Sequence, residues 1–429
     1  MTDATDTAEA NFGDVVLAAA ADRRLVVQPR MGMSRPEEMR RGLAATRGAA
    51  ARTVGTITLD SYTRVGDHDA ARAALEAGAD LNGYPIVAHP PEVTEAVVEG
   101  IRGPDFPVQV RHGSASPQYI VDALTRVGLH ATEGGPVSYC LPYSRLPVAD
   151  SVTAWAEACR VLGDLGEHGP RAHLETFGGC MMGQLCPPSM LVAISVLEAC
   201  FFRQFGIDSV SLSYAQQTDP VQDAEAIAAL RALADEFLPD LSLHIVVYAY
   251  MGVFPRSAEG ATRLVRDAAA LGVRAGAHRL IVKTTAESRR IPTIAENVDA
   301  LRAAAETAER TRAVEPAATP PADTGILGAA RALVETVLSG DTDVGRALVG
   351  AVRQGVIDVP YCLHPDNRGR TSATVGPDGR LHWTRTGGLP RAVAQEDTAR
   401  TGDDSSDDLL RSLYYVQRRF DRAAAGAAG

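Results

Sequence analysis

Short runs of β-branched and apolar residues alternate along most of the chain with longer stretches whose apolar residues recur every three or four positions. Each short run is typical of a buried strand, and each longer stretch is typical of an amphipathic helix. We predict strands at LVVQP, GTITLD, DLNGY, FPVQVR, HATE, HLETF, SVSLSY, LHIVVYAY and RLIVKT, which begin at Leu25, Gly55, Asp80, Phe106, His130, His173, Ser209, Leu243 and Arg279.

Helical stretches separate these strands. They include DHDAARAALEAGA, PQYIVDALTRVG, VTAWAEACRVLGDLG, MLVAISVLEACFFRQFG, DAEAIAALRALADEFL and SAEGATRLVRDAAALG. Because consecutive parallel strands are usually joined by a helix, this alternation indicates a parallel sheet. About eight such units in series favour a (β/α)8 barrel of the TIM type over an open sheet. The strand candidates are one too many for that barrel, and the pattern leaves open whether HATE or DLNGY lies outside its wall.

The composition changes along the chain and predicts four parts. The acidic start predicts an N-terminal extension over residues 1–20, followed by the barrel over residues 21–310. The stretch TRAVEPAATPPADTG is rich in proline and alanine, which predicts a linker over residues 311–325. Residues 326–429 begin with the helical stretch GILGAARALVETVLSG and continue into loop-rich segments. They predict a small C-terminal α+β, loop-rich subdomain.

Charge and composition exclude several classes of function. The net charge of −11 argues against binding to nucleic acid or to an anionic membrane surface. The start of the chain lacks the pattern of a secretory signal, and its longest apolar stretch is short and carries Glu198, so we expect a cytoplasmic protein. The six cysteines form no CxxC pair, which argues against a metal site. The sequence motifs for dinucleotides, nucleotide phosphates, zinc proteases and serine hydrolases are missing.

Charged residues occur where the predicted strands end. They are Arg30, Arg64, Arg111, Glu133 and Lys283. In a barrel, the carboxyl ends of the strands converge on one mouth, where active sites lie. Guanidinium groups bind carboxylates through two parallel hydrogen bonds and stay charged when desolvated. The sequence therefore predicts a mouth suited to an amino dicarboxylate, with the arginines on its carboxylates and Glu133 on its ammonium group.

Neighbouring residues extend this pattern but leave alternatives open. Tyr139 and Tyr143 follow Glu133 and would close a polar shell. A single arginine after a strand is more often a surface residue, and an isolated histidine such as His112 is more often a satisfied core residue. The residues alone allow a barrel enzyme for a small acidic substrate or a lyase or aldolase that uses Lys283 as a Schiff base. They also allow a non-catalytic protein that binds an acidic amino acid or chaperones a partner.

The strand-end segments also resemble, in order, the motifs of the glutamate mutase epsilon subunit family, also called methylaspartate mutase. The similarity extends from about Gln28 into the C-terminal region, where it includes GVIDVPY. GGCMMGQLC after Phe177, AQQTDP after Tyr214, and Tyr248 in place of an expected histidine depart from that series. The matching segments are QPR followed by MG, TLDSYTR, LNGYP, QVRHG, TEGGPVSYCLPY, CPPS, YMGVFP and VKTTAESRRIPT.

The resemblance implies an isomerase. This enzyme would be the catalytic subunit of an adenosylcobalamin-dependent carbon-skeleton mutase that interconverts L-glutamate and (2S,3S)-3-methylaspartate by radical fragmentation and recombination. A close glutamate analogue remains an alternative substrate because of the departures. Catalytic roles are implied for Glu133, Arg111 and Arg64. The implied substrate shell is Arg30, Arg64, Arg111, His112, Glu133, Tyr139 and Tyr143, and the implied cofactor contacts are Gly32, Asn82, Pro142, Phe254, Lys283, Glu287 and Ile291.

A partner is implied as well. Cobalamin enzymes of this type bind the lower face of the cofactor with a DxHxxG loop, whose histidine replaces the lower axial base. The nearest string here is VGDHDAARA, in which Asp67 and His68 are adjacent, so the spacing fails. A helix start of this kind is typical of a solvent-facing cap. The resemblance therefore implies a small cobalamin-binding subunit that carries DxHxxG and a heterotetramer of two large and two small subunits.

Overall fold

The computed structural model describes residues 11–179, 181, 184–288, 290–315, 321–395 and 406–427. Its largest sheet contains eight strands, which are β1 (Val26–Pro29), β2 (Gly55–Thr58), β3 (Val108–Arg111), β4 (Ala131–Glu133), β5 (His173–Glu175), β6 (Ser209–Ala215), β7 (Ser242–Tyr248) and β8 (Arg279–Val282). They are hydrogen-bonded in the order β1-β8-β7-β6-β5-β4-β3-β2, and every pair is parallel. A parallel bridge between Val27 and Thr53 brings β1 beside β2. The sheet is therefore nearly closed, which confirms the predicted (β/α)8 TIM-type barrel.

Helices connect and surround these strands. Several begin where the sequence offers a side-chain cap: Asp60, Asp219 and Thr293 each accept a hydrogen bond from a backbone N–H of the first turn. The helices are α1 (Phe12–Ala21), α2 (Pro36–Arg47), α3 (Ser61–Val65), α4 (His68–Glu76), α5 (Pro91–Val98), α6 (Gln118–Arg126), α7 (Val148–His168), α8 (Pro188–Arg203), α9 (Pro220–Phe237), α10 (Ala258–Arg274), α11 (Ile294–Val314), α12 (Ile326–Leu338), α13 (Val344–Gln354), α14 (Ser406–Leu413) and α15 (Tyr415–Ala427). Within the described ranges, every helix is too short or too polar to cross a lipid bilayer.

One of the nine strand candidates lies outside the barrel wall. The stretch that begins at Asp80 forms no strand, and its Tyr84 makes only an isolated bridge to Leu59. The candidate HATE instead contributes β4, which pairs with β3 on one side and with β5 on the other. The short β4 is therefore part of the wall, and the stretch at Asp80 is not.

The strand register brings the carboxyl ends to the same level. Thr58 at the end of β2 lies opposite Arg111 at the end of β3. Glu133 at the end of β4 lies opposite Glu175 at the end of β5. Paired residues of neighbouring strands direct their side chains to the same face of a sheet. Because Arg111, Glu133 and Glu175 are buried, the register gathers charged groups near one end of the barrel.

Helix α1 covers the opposite end of the barrel. The Phe12 ring stacks on the His173 ring at 5.1 Å, and the Arg279 guanidinium lies 5.0 Å from the centre of the Phe12 ring. His173 and Arg279 are the first residues of β5 and β8. The predicted N-terminal extension thus contains a helix that packs on the amino-terminal ends of the strands, while residues 1–10 lie outside the described residues.

The C-terminal part is small and packs on the side of the barrel. Helix α12 packs against α8 and α9, and α13 packs against α7. The two antiparallel strands β9 (Thr371–Val375) and β10 (Leu381–Thr386) follow. These elements confirm the small C-terminal α+β part. Its predicted boundary stays a prediction: α11 extends to Val314, and residues 316–320 of the predicted linker lie outside the described residues.

Candidate active site at the carboxyl ends of the strands

A network of four charged side chains runs inside the barrel from Arg279, the first residue of β8, to Arg111, Glu133 and Glu175 at the carboxyl ends of β3, β4 and β5. Arg111 Nη1 donates a hydrogen bond to Glu175 Oε1 at 3.1 Å, and Arg111 Nη2 lies 2.5 Å from Glu133 Oε2. Arg279 donates to the other oxygen of Glu175. Each of these side chains is at most 4% exposed. Two arginines and two glutamates balance in charge, so Arg111 is engaged inside the protein.

Two tyrosine hydroxyls join this network. Tyr139 donates to Glu133 Oε1. The Tyr248 hydroxyl lies 3.1 Å from Glu133 Oε2, contacts Glu175 Oε1, and accepts a hydrogen bond from Arg111 Nη2 at 2.8 Å. Because a hydroxyl carries one proton, Tyr248 can donate to only one of the two carboxylates at a time. Its position at the end of β7 links the two glutamates.

The two glutamates differ in their affinity for protons. Burial raises the pKa of Glu133, although the neighbouring Arg111 opposes this effect. Burial also disfavours ionisation of Glu175, but the Arg279 and Arg111 guanidinium groups outweigh it and lower the pKa of Glu175 to about 2. Carboxyl groups whose pKa values are pushed apart divide into a proton carrier and a fixed anion. Of the two carboxyl groups, Glu133 therefore holds a proton more readily than Glu175.

The sequence analysis missed part of this network. Glu175 is the middle residue of the strand candidate HLETF, and only the structure shows that β5 ends at this residue. Arg279 begins its strand, so a search for charged residues at strand ends does not point to it. Gln109 supports the network by donating to Glu175 Oε2 at 3.3 Å, and Gln28 donates to Gln109 Oε1 at 2.9 Å. These interior residues are apparent only once the barrel closes.

The other two predicted arginines are not part of this network. Arg30 Nη1 donates to Glu287 Oε2 at 3.0 Å, and 31% of its side chain is exposed. Arg64 packs beside Gly113, where an added Cβ would lie 2.8 Å from Arg64 Cδ. In the described part of the chain, the Arg64 guanidinium makes no hydrogen bond or ion pair. The structure therefore brings Arg111 alone of the three arginines into the buried network with Glu133.

His112 and the predicted tyrosines lie around the network. His112 Nδ1 accepts a hydrogen bond from Ser114 N at 3.0 Å. Burial and then the nearby charges of Arg111 and Arg64 lower the pKa of His112 to about 3, so the ring is neutral and carries its proton on Nε2. The Tyr139 ring packs against the His112 ring at 5.4 Å and against the Tyr143 ring at 6.0 Å. Tyr139 is buried, whereas Tyr143 is 49% exposed.

The residues predicted to contact a cofactor lie in loops after several strands. Lys283 Nζ lies 4.6 Å from the centre of the Phe254 ring and 3.6 Å from Glu287 Oε2, so these three side chains form one group. Gly32 is pressed against β2, because an added Cβ would lie 2.1 Å from the Thr58 carbonyl oxygen. Asn82 Oδ1 accepts a hydrogen bond from the Ser61 N–H at 2.9 Å. Pro142 is half-buried and Ile291 is exposed.

Buried polar atoms without partners lie at or after the ends of five strands. Buried polar groups are nearly always hydrogen-bonded, so such atoms indicate where a ligand or water binds. These loops surround the mouth of a barrel, where the active sites of barrel enzymes occur. These atoms are available to water or to a polar ligand at the mouth. Among the described residues, these atoms include Thr58 Oγ1, His112 Nε2, Thr218 Oγ1, the Tyr250 hydroxyl and Thr284 Oγ1, and other unpartnered atoms such as Trp155 Nε1 and His244 Nδ1 lie elsewhere.

Fold and site together define an α/β-barrel protein with a polar active-site mouth at the carboxyl ends of its strands. The sequence profile of the family described as Methylaspartate mutase E chain matches residues 7–402. The chain belongs to this family, which confirms the resemblance found in the sequence.

Individual relatives agree with this assignment. The glutamate mutase epsilon subunit of Haloarcula marismortui is 30% identical over 90% of this chain and 80% of its own length. The corresponding subunits of Yersinia enterocolitica and Escherichia coli O157:H7 are 29% and 28% identical, over 89% and 88% of this chain and 81% of their own lengths. Among solved structures, tryptophan synthase from M. tuberculosis aligns with a TM-score of 0.36 and 17% identity over 70% of this chain and 98% of its own, too low a similarity to support an argument.

Proposed function

We propose that this chain is the catalytic subunit of an adenosylcobalamin-dependent isomerase that interconverts L-glutamate and (2S,3S)-3-methylaspartate. The observation that carries the proposal is the family match over residues 7–402, which includes every strand end that bears a polar residue of the site. The names of the relatives and of the family refer to glutamate and to methylaspartate. Both compounds are amino dicarboxylates, the substrate class for which the mouth is suited.

The substrate carboxylates would bind the arginines outside the buried network. Arg64 offers a guanidinium that has no other partner in the described ranges, and Arg30 offers donors beyond its single bond to Glu287. Neutral His112 presents a buried Nε2–H group that also lacks a partner among these residues. An unsatisfied buried donor costs about 1–3 kcal/mol, which a substrate carboxylate would recover.

The substrate amino group would meet Glu133. This side chain is held by Arg111 on one oxygen and by Tyr139 on the other. Its carboxyl group would accept a hydrogen bond from the substrate amino group, whereas Glu175 holds the Arg111 guanidinium in place. Such preorganised charges stabilise a reacting molecule without reorganising during the reaction.

The loops at the mouth offer an aromatic, a cationic and an anionic group together to a large polar cofactor, since Lys283 Nζ lies 4.6 Å from the centre of the Phe254 ring and 3.6 Å from Glu287 Oε2. Gly32, Asn82, Pro142, Phe254, Lys283, Glu287 and Ile291 are the residues of this chain that would hold adenosylcobalamin. When bound, adenosylcobalamin would supply the carbon radical that begins the rearrangement. The protein would bind and orient the reactants and exclude water from them.

A direct test is product formation by the reconstituted enzyme. The purified chain would be mixed with adenosylcobalamin, L-glutamate and a small cobalamin-binding subunit that carries DxHxxG. We expect 3-methylaspartate to appear in the proton NMR spectrum, and the same mixture containing a small subunit with its motif histidine replaced should form none. Absence of product from the complete mixture, with both proteins folded, would contradict the proposal. Faster conversion of a glutamate analogue would instead reassign the substrate.

The lyase alternative depends on Lys283. Its ammonium lies against the Phe254 ring and 3.6 Å from Glu287 Oε2, and a Schiff base would require a neutral amine released from this ion pair. We expect borohydride to trap no covalent adduct at Lys283 in the presence of a carbonyl substrate. Detection of such an adduct by mass spectrometry would favour the lyase.

A further inference from the structure

A buried glutamate outside the strand ends contacts the loop that carries Tyr139. Glu198 lies in α8, is 0% exposed, and forms no ion pair among the described residues. Its Oε1 accepts hydrogen bonds from Val137 N at 3.2 Å and from Ser138 N at 2.8 Å. Its Oε2 accepts from Ser138 Oγ at 2.9 Å. One carboxylate therefore binds three donors of a loop about sixty residues distant in the chain.

This loop connects β4 to α7 and contains consecutive tight turns. Tyr139 N and Leu141 N donate to backbone carbonyl groups within the loop, whereas the N–H groups of Val137 and Ser138 at its start donate to Glu198. Free N–H groups at the start of a helical turn carry partial positive charge and favour a carboxylate. Glu198 thus caps the loop from a different element.

Glu198 packs tightly against the loop after β4 and also reaches the segment after β5. An added Cβ at Gly135 would lie 2.0 Å from the carboxyl carbon of Glu198, so glycine is required where the loop passes. Glu198 Oε2 also lies 3.5 Å from the Phe177 N–H, two residues after Glu175. The Phe177 ring packs 4.7 Å from the Tyr139 ring. The same carboxylate therefore joins the loop after β4 to the segment that follows Glu175.

Burying a carboxylate without a neighbouring cation costs folding free energy. The position of Glu198 indicates which role outweighs that cost. Replacing buried charges by apolar side chains is often neutral or stabilising, so a buried charge is weak evidence for a stabilising role alone. The group that this loop carries into the site is the Tyr139 hydroxyl, which donates to Glu133. Small displacements of such groups lower turnover strongly.

We propose that Glu198 is a positioning residue that holds the Tyr139 hydroxyl against Glu133 by anchoring the loop between β4 and α7. This inference rests on the proposed function for its kinetic consequence. Glu198 acts through Tyr139 and lies outside the proposed substrate-binding groups, because its hydrogen bonds within the described residues go to Val137, Ser138 and Phe177. Its loss should therefore lower kcat more than it raises the KM for L-glutamate.

The kinetic test uses the complete enzyme and Glu198→Gln, which keeps the size of the side chain. We expect kcat to fall by about 10- to 100-fold, since a displacement of about 1 Å can have an effect of this order. Asp223→Asn is the matched control: Asp223 is a buried carboxylate in α9 that accepts a bifurcated hydrogen bond from Gln217 N in the loop after β6 and another from the Tyr214 hydroxyl. This control should retain the wild-type kcat.

A double-mutant cycle with Tyr139→Phe distinguishes positioning from general destabilisation. If Glu198 acts through the Tyr139 hydroxyl, Glu198→Gln should have little further effect on kcat in the Tyr139→Phe protein. Equal losses in both backgrounds, or equal losses in the Asp223→Asn control, would overturn the inference.

Amide hydrogen exchange tests the anchoring without turnover. Glu198→Gln should speed exchange in the peptide that spans residues 134–146, whereas Asp223→Asn should not. Unchanged exchange in Glu198→Gln would overturn the inference even if the enzyme is active. Failure of the proposed function would be recognised differently, by absence of product from the wild-type complex.

Discussion

Arg111 is the residue on which the buried network most depends, because its guanidinium binds both glutamates. In Arg111→Lys, a single ammonium cannot reproduce the fork and would leave one buried carboxylate without its partner. We expect a loss of about 3–5 kcal/mol in the free energy of unfolding, together with a large fall in kcat/KM. Urea denaturation and steady-state kinetics measure the two effects.

Arg64→Lys is the comparison variant for Arg111→Lys, because Arg64 lies outside the buried network. Because the Arg64 guanidinium makes no hydrogen bond or ion pair in the described part of the chain, its replacement should leave the free energy of unfolding near the wild-type value while raising the KM for the dicarboxylate. Near wild-type turnover by Arg111→Lys would contradict both the predicted catalytic role of Arg111 and its place in the network.

Under the proposed function, Glu133 meets the substrate amino group, and burial raises its pKa. Glu133→Gln keeps the size of the side chain but can neither take up a proton nor carry the charge that would meet an ammonium group. We expect kcat to fall by about 10²- to 10⁴-fold, the range typical of a lost acid–base group. Circular dichroism should show an unchanged fold. An unchanged kcat would show that Glu133 has only a structural role.

At the scale of elements, α8 holds the loop after β4 through one titratable group. Burial raises the pKa of Glu198 from 4.5 to about 7, although the N–H groups of Ser138, Val137 and Phe177 oppose it. Between these two values the folded state binds more protons than the unfolded state. The free energy of unfolding therefore falls as pH rises from 4.5 to 7, by at most about 3 kcal/mol from this group.

This pH dependence can be assigned to Glu198 by mutation. In Glu198→Gln, the loss of stability between pH 5 and pH 8 should be smaller than in the wild type by about 1–3 kcal/mol, as measured by urea denaturation. Two neighbouring groups bear on the measurement. Burial keeps the Cys159 thiol neutral by raising its pKa, and Glu133, whose pKa is also raised, leaves a residual slope of the same sign. Identical slopes in the two proteins would contradict the assignment.

At the scale of the whole molecule, this chain has a mouth lined by polar groups but no DxHxxG sequence. A radical reaction requires exclusion of water, and under the proposed function the small subunit would cover the mouth while binding the lower half of the cofactor. We expect the purified chain with adenosylcobalamin alone to form no methylaspartate, and the small subunit to restore both cofactor binding and turnover. Robust turnover by this chain alone would contradict the need for a partner.

The sequence by itself determined eight of the nine strand candidates, the helices between them, and the strand ends at Arg111 and Glu133. These features follow from the local periodicity of apolar residues, which each segment carries in itself. Once the barrel was predicted, the convergence of Arg111 and Glu133 on one mouth followed from its geometry. The family resemblance was likewise readable without coordinates, because it depends on short motifs in a fixed order.

Only the tertiary structure decided how these residues are paired. Arg279 and Glu175 are 104 positions apart, and Glu198 lies 60 positions from Ser138, so no local pattern indicates either contact. No local pattern indicates that Arg111 is paired inside the network, or that the stretch at Asp80 lies outside the barrel wall. Burial, ion pairing and the pKa shifts that follow from them depend on which distant segments meet, and that is settled only when the barrel closes.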